Sequence, residues 1–241
     1  PALVAVPLLL AGCASTAIQE NQAATSAFAL REVGVEVQLQ STDDARAAAA
    51  TNARTLLAEP LTADGAVQIA VGYSPTFQRL LADSAAASAA ATQSARLPNP
   101  ILSYSRLAAG DVTEIERALT LSLLDFVLLP QRRRLADLQQ AQHRLRSAGD
   151  VIGTATAARE AWIDAVAARQ SLAYAAQAQK AAEAGAELGR RMAAVGNFSR
   201  LEAAREQAFY AETTAEVARA QLEAQRTREV LIRLLGLSGD L

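Results

Sequence analysis

Histidine, cysteine, methionine, tryptophan and lysine each occur once in the 241 residues, and aromatics make up only 4%. A Cys/His metal cluster or a Cys–His catalytic pair would have to use both Cys13 and His143, so zinc-type sites and thiol chemistry are poorly supplied. The 23 Lys plus Arg are balanced by 25 Asp plus Glu. With no basic run either, the chain does not read as a nucleic-acid binder. There is no Gly-rich phosphate loop. Asp64, Asp83, Glu114 and Glu116 lack the spacing that pairs carboxylates for acid–base work. The chain is therefore expected not to be an enzyme and to hold no metal or dissociable cofactor. What it has in abundance is alanine, which supplies much of the 51% apolar fraction. Few large side chains remain for a compact core, and the composition suits helices packed closely along their length. Length alone allows one or two domains.

Pro1 to Leu10 (PALVAVPLLL) is an apolar run leading into Leu10, Ala11, Gly12 and Cys13. A secretory signal ends in this way, with small residues for a peptidase to grip. The order Leu-Ala-Gly-Cys resembles the bacterial lipobox, which implies cleavage before Cys13 and acylation of its thiol. Residues 1–12 are then a partial signal peptide, and the Cys13 lipid (palmitate, for example) is the one covalent group expected. The alternative is a short buried helix with an incidental cysteine. Neither Met nor a basic stretch precedes the run, so further chain is expected upstream. Ala14, rather than Asp, follows Cys13; by the same resemblance this favours the outer membrane over the inner.

Residues 13–60 are expected to form a lipidated tether, weakly structured over 14–42, with one short helix from Asp43 to Glu59 that Pro60 stops. A helical piece over 66–71 and a helix over 75–95 follow, ended by Leu97-Pro98-Asn99-Pro100. The period then changes. Strands are expected at about 101–108 and 115–124, joined by a turn at Ala109-Gly110-Asp111. Leu102, Tyr104 and Arg106 share one side of the first. Ile115, Arg117, Leu119, Leu121 and Leu123 share one face of the second, with Thr120 and Ser122 opposite. Each run is near the ~9–11 residues that a tilted membrane strand needs. A lone hairpin is not a stable sheet in water, so these strands must join others outside this sequence.

Pro130 begins the longest helical run, 131–194, on the order of 95 Å long at 1.5 Å per residue. One heptad seam runs through Leu138, Leu145 and Ile152 with Ala141, Ala148, Ala155 and Trp162. A bend or break is open at Gly149 and Gly153. Trp162 reads as core packing and His143 as a solvated helix residue. Arg132-Arg133-Arg134 reads either as an interfacial anchor or as a solvated helix start. Val195 to Ser199 is a turn, with Ser199 and Glu202 spaced as a capping box. The helix from 199 to 235 has its own seam: Leu201, Ala204, Ala208, Ala211, Ala215, Ala218 and Leu222. Gly236 ends it. The two long helices are expected to form an antiparallel hairpin. The fold class is thus mainly α, long antiparallel coiled-coil helices with one inserted β-hairpin.

This plan resembles the TolC-type outer-membrane factor family, the outer-membrane efflux proteins, in its lipoprotein subgroup. The resemblance rests on several stretches. Leu61-Thr62-Ala63-Asp64-Gly65-Ala66-Val67-Gln68-Ile69-Ala70 with Ser74-Pro75 is similar to the family's opening helix. Leu97 to Ser103 is similar to its approach to the first membrane strand. Leu121 to Asp125 with Pro130 to Arg134 is similar to its return strand and helix start. Ala194 to Glu202 is similar to its periplasmic tip, and Leu231 to Leu237 to the end of a repeat. Residues 61–237 would be the first of two repeats, with the second missing from this sequence.

The resemblance implies a homotrimer whose hairpins build an intermolecular transmembrane β-barrel and whose helices form a periplasmic tunnel, lipid-anchored in the bacterial outer membrane. Leu102, Tyr104, Leu119, Leu121 and Leu123 would sit in membrane strands. Val195, Gly196, Asn197, Phe198, Ser199 and Arg200 would contact a periplasmic adaptor (membrane fusion protein) and, through it, an inner-membrane transporter. The function implied is export in a tripartite efflux or type I secretion system. The alternative is a periplasmic coiled-coil adaptor or scaffold lipoprotein.

Overall fold

A computed structural model describes residues 13–109 and 112–237. Leu10, Ala11 and Gly12 of the lipobox, and Gly110-Asp111 of the expected turn, lie outside the described residues. The order is α1 (Cys13–Val33), α2 (Asp43–Leu57), α3 (Ala63–Gly72), α4 (Pro75–Ser94), β1 (Ile101–Ala109), β2 (Val112–Thr120), α5 (Leu123–Ala194) and α6 (Arg200–Leu235). The described chain is mainly helical with one two-stranded antiparallel sheet. The described residues divide into two compact units, one of residues 13–32, 36–39, 79–109 and 112–150, the other of 33–35, 40–78 and 151–237.

In the first unit, α1 replaces the weakly structured tether expected over 14–42. The sequence hides this helix because polar side chains hold part of its inner face. Ile18, Asn21, Thr25 and Ala29 recur at helical spacing and are buried or half-buried. Asn21 Nδ2 donates to Ser88 Oγ of α4 at 2.7 Å and to Gln140 Oε1 of α5, and Arg144 Nε donates to Asn21 Oδ1. Gln140 Nε2 donates to the Ser88 carbonyl at 2.8 Å and to Thr92 Oγ1 at 3.0 Å. Ser84 and Ser147 share a hydrogen bond of 2.6 Å. Small side chains (Ala29, Ala91, Ala136) fill the rest of this interior. Three helices are therefore joined by a satisfied polar network rather than by large apolar groups. Such a network fixes register, because sliding one helix would strand buried amides.

The second unit is built around α3, whose Ala66, Val67, Ile69, Ala70 and Val71 are buried with Phe77, Leu231 and Leu235. Thr62 caps α3, its hydroxyl accepting the Gly65 N–H at 3.0 Å, and Thr42 caps α2 through the Ala45 N–H at 3.2 Å. α3 packs on α2 and α6. The 151–194 portion of α5 runs antiparallel to α6: Gly189 lies against Ala203 and Glu206, and Gln179 donates to Thr214 Oγ1 at 3.2 Å.

The seam between these helices is not the expected one. Leu201 and Leu222 are exposed, as are Ala204, Ala208, Ala211, Ala215 and Ala218. α6 instead turns inward Ala203, Glu206, Tyr210, Thr213, Val217, Ala220, Ala224, Thr227 and Leu231, all buried or half-buried. The two heptads are offset by two residues, about 200° around the helix, so they mark opposite faces. On α5, Leu138, Leu145 and Ile152 are likewise exposed, Leu145 by 77%, and Ala141 is exposed with them. Ala155 of that seam is buried, and the inward stripe continues through Ala158, Ala161, Leu172, Ala175, Ala182 and Ala186. A heptad identifies a face but not its partner.

α5 has 72 residues and passes through Gly149 and Gly153 without a break. It also begins earlier than Pro130, which lies inside it. The proline removes one N–H, the donor to the Phe126 carbonyl. Across that gap Arg132 Nη1 donates to Asp125 Oδ1 at 2.7 Å, and Asp125 occupies the favourable first turn.

Candidate functional site

Two places stand out by geometry, the hairpin and the turn between α5 and α6. β1 and β2 pair from Ile101↔Thr120 to Ala109↔Val112. Residues directly opposite share a face. Leu102–Leu119, Tyr104–Arg117 and Arg106–Ile115 lie on one face; Ser103–Ala118, Ser105–Glu116 and Leu107–Glu114 lie on the other. The register thus unites the two apolar-rich faces read from the sequence. Both faces are open: Leu102 is 77% exposed on one and Leu107 66% on the other. Nine residues per strand give about 30 Å at 3.4 Å each.

Leu121 and Leu123 are not in the strand, a correction to the expected 115–124. The ladder stops where Thr120 meets Ile101. The next partner would be Pro100, which has no N–H to give. Leu121 lies in the connection and Leu123 begins α5. Around them Leu123, Leu124, Phe126, Val127 and Leu128 are all exposed, Val127 by 74%. Sequence reasoning missed this apolar helical start. Its signal was present, because after Leu123 strict alternation gives way to a continuous run, Leu-Leu-Asp-Phe-Val-Leu-Leu.

At the other end of α5, the chain reverses over Val195 to Ser199. Gly196 takes φ 81°, a left-handed conformation that an L side chain resists. The Asn197 and Phe198 N–H groups both donate to the Met192 carbonyl, at 2.9 and 3.3 Å. Ser199 and Glu202 form the expected capping box: Ser199 Oγ accepts the Glu202 N–H at 3.2 Å and Glu202 Oε2 accepts the Ser199 N–H at 2.7 Å. The Ser199 backbone N–H, then its hydroxyl, hold the Glu202 carboxyl below its ordinary pKa. Val195, Asn197 and Arg200 are exposed, whereas Phe198 is half-buried. Just before the turn, Glu187 binds Arg191 at 2.7 Å and Arg190, and its carboxyl is lowered chiefly by the Arg191 hydrogen bond.

Cys13 is the first residue of α1. His143 is half-buried. Among the described residues, no group of three or more His, Cys, Asp or Glu is placed to hold a metal. No described helix is long and apolar enough to cross a membrane, which says nothing of a β-barrel. No protein-family model, no curated protein and no solved structure matches the chain.

Proposed function

We propose that the chain is part of a TolC-type outer-membrane export channel, anchored by lipid on Cys13, assembled as a homotrimer and coupled through a periplasmic adaptor to an inner-membrane transporter. The observation that carries the reading is the hairpin. Two nine-residue strands hang between long helices with both faces open and no other described strand to pair with. A two-stranded ribbon is marginal in water, and its free edges are tolerated in lipid only when closed into a barrel. One face carries Leu102, Tyr104, Ile115 and Leu119 together with Arg106 and Arg117, and the other Ser103, Ser105, Glu114 and Glu116 together with Leu107. The first is the more apolar and is the face assigned to lipid, the second the face assigned to a lumen. The apolar start of α5 then lies at the membrane boundary. The strand pair also distinguishes this reading from a coiled-coil adaptor or scaffold, which has no use for an exposed ribbon in water.

The test uses full-length protein in cells. Leu119→Arg should abolish assembly into the outer membrane and export, while Ala118→Arg, on the opposite face, should be tolerated or alter selectivity. Equal effects at both positions would overturn the barrel. Mass spectrometry of the membrane-extracted protein reads the anchor; an unacylated Cys13 would remove that part of the proposal.

A further inference from the structure

An open cleft of about 620 Å³ lies in the first unit at the root of the hairpin, between the end of α4, the 96–99 connection into β1, Ile18 of α1 and Arg132 of α5. That size is within the roughly 300–1,000 Å³ of small-ligand clefts. Among the described residues that line it, the only ionisable ones are two arginines, Arg96 and Arg132, and none is a carboxylate, although the chain as a whole is net negative. We propose that this cleft binds the phosphate of an anionic phospholipid headgroup.

The two arginines are differently prepared. Arg132 is partly exposed and held in place through Nη1 by Asp125 at 2.7 Å, which leaves further guanidinium N–H donors for an anion. Arg96 is exposed and has no acidic partner among the described residues. Thr92 and Ser94 also line the cleft, but their hydroxyl protons go to the Ser88 and Ala91 carbonyls, at 2.9 and 2.7 Å. The amides of Gln93 and Asn99, both exposed, are the remaining neutral donors. One effect opposes an anion here. The cleft adjoins the C-terminal end of α4, which presents about half a negative charge. Asp125 offsets the charge of Arg132, so the net charge of Arg96, Arg132 and Asp125 is +1, which still exceeds that half charge, and Arg96 itself complements that helix end.

The choice of a lipid over free phosphate rests on the membrane reading of the hairpin. Leu97 and Pro98 form part of the wall and lead directly into β1. Ile18 adds a further apolar surface. A phosphate held by the arginines would thus have apolar wall beside it for the first methylenes of an acyl chain. Paired arginines at the membrane boundary suit phosphodiester headgroups.

Native mass spectrometry of the full-length protein in neutral detergent tests this, with phosphatidylglycerol, phosphatidylcholine or inorganic phosphate added. Phosphatidylglycerol should be retained over phosphatidylcholine, and Arg96→Gln should weaken its retention by about tenfold, the scale of one lost charge-assisted hydrogen bond. Arg132→Gln should do the same, but it also breaks the Asp125 pair, so the exposed Arg96 is the deciding position. Retention unchanged in Arg96→Gln, or equal retention of the two lipids, would overturn the proposal. Displacement of phosphatidylglycerol by inorganic phosphate at equal concentration would keep an anion site and overturn its lipid identity. Loss of lipid selectivity while the Leu119/Ala118 contrast persists would sink this inference alone.

Discussion

The indole N–H of Trp162 donates to the main-chain carbonyl of Leu61 at 2.8 Å, across 101 residues of chain. The residue after Leu61 is the N-cap of α3, and Arg159, one turn earlier on α5, reaches Asp64 at 2.9 Å. The opening of α3 is thus tied to α5 by a half-buried hydrogen bond and an exposed ion pair. Trp162 is not simply a seam side chain; its N–H satisfies a carbonyl that the connection between α2 and α3 leaves over.

Replacing Trp162 with Phe keeps most of the ring's apolar contact and removes that donor. The expected cost is about 1 kcal/mol, the net value of one hydrogen bond, seen as a drop in Tm of about 2–4 °C for a chain of this size. Arg159→Gln, which removes only an exposed pair, should change Tm much less. Thermal unfolding followed by circular dichroism compares them, and an unchanged Tm in Trp162→Phe would reject the assignment.

Glycine substitutions should have opposite signs at two places. Gly236 ends α6 with φ 71°, and a Cβ there would collide with Pro75 Cδ. Gly236→Ala should therefore destabilise by about 1–3 kcal/mol. Gly153 lies inside α5 with open space around its would-be Cβ, so Gly153→Ala should stabilise by up to about 1 kcal/mol. Chemical denaturation midpoints measure both. Equal signs would contradict the geometry.

The Glu202 carboxyl is lowered by the Ser199 N–H. A group whose folded pKa is depressed stabilises the fold fully above its unfolded pKa, and that stability is lost as pH falls through the folded value. Amide exchange at the start of α6 should accordingly rise as pH drops below the ordinary carboxylate range, about 4.3, after correction for intrinsic rates. Glu202→Gln should flatten this dependence while leaving exchange in α3 unchanged. A wild-type profile with no acid limb would mean the cap carries no protonation-linked stability.

For the proposed channel, Cys introduced at Asn197 or Arg200 should cross-link to the adaptor in cells, whereas Cys at Glu183, exposed three turns before the turn region, should not. Phe198 is half-buried, so Phe198→Asp perturbs the turn as well as any contact. Phe198→Leu, which keeps the packing, separates the two. Export unchanged by Phe198→Asp, with cross-links only from Glu183, would remove the turn from the docking site.

Much of the helical hairpin was legible because its ends carry explicit chemistry. Ser199 with Glu202, Gly196 and Gly236 each occupy the position that their side-chain or backbone properties favour. The strands were legible from alternation, with Leu102, Tyr104 and Arg106 on the same face as Leu119, Arg117 and Ile115. α1 was not legible, since Asn21 and Thr25 occupy an inward face that a hydrophobicity pattern scores as solvent-facing.

The sequence by itself determined that this chain would be long helices interrupted by one alternating segment, because propensity, caps and period are local properties. Tertiary structure decided which helical face turns inward. α6 carries an apolar heptad on one side and a mixed one, with Glu206, Thr213 and Thr227, on the other, and only the presence of α5, approaching closely at Gly189 and Ala203, selects the Ala203–Leu231 stripe over the Leu201–Leu222 one. It also decided where β2 ends. Alternation runs on to Leu123, but a strand lasts only as long as its neighbour can complete the ladder, and Pro100 has no N–H to donate.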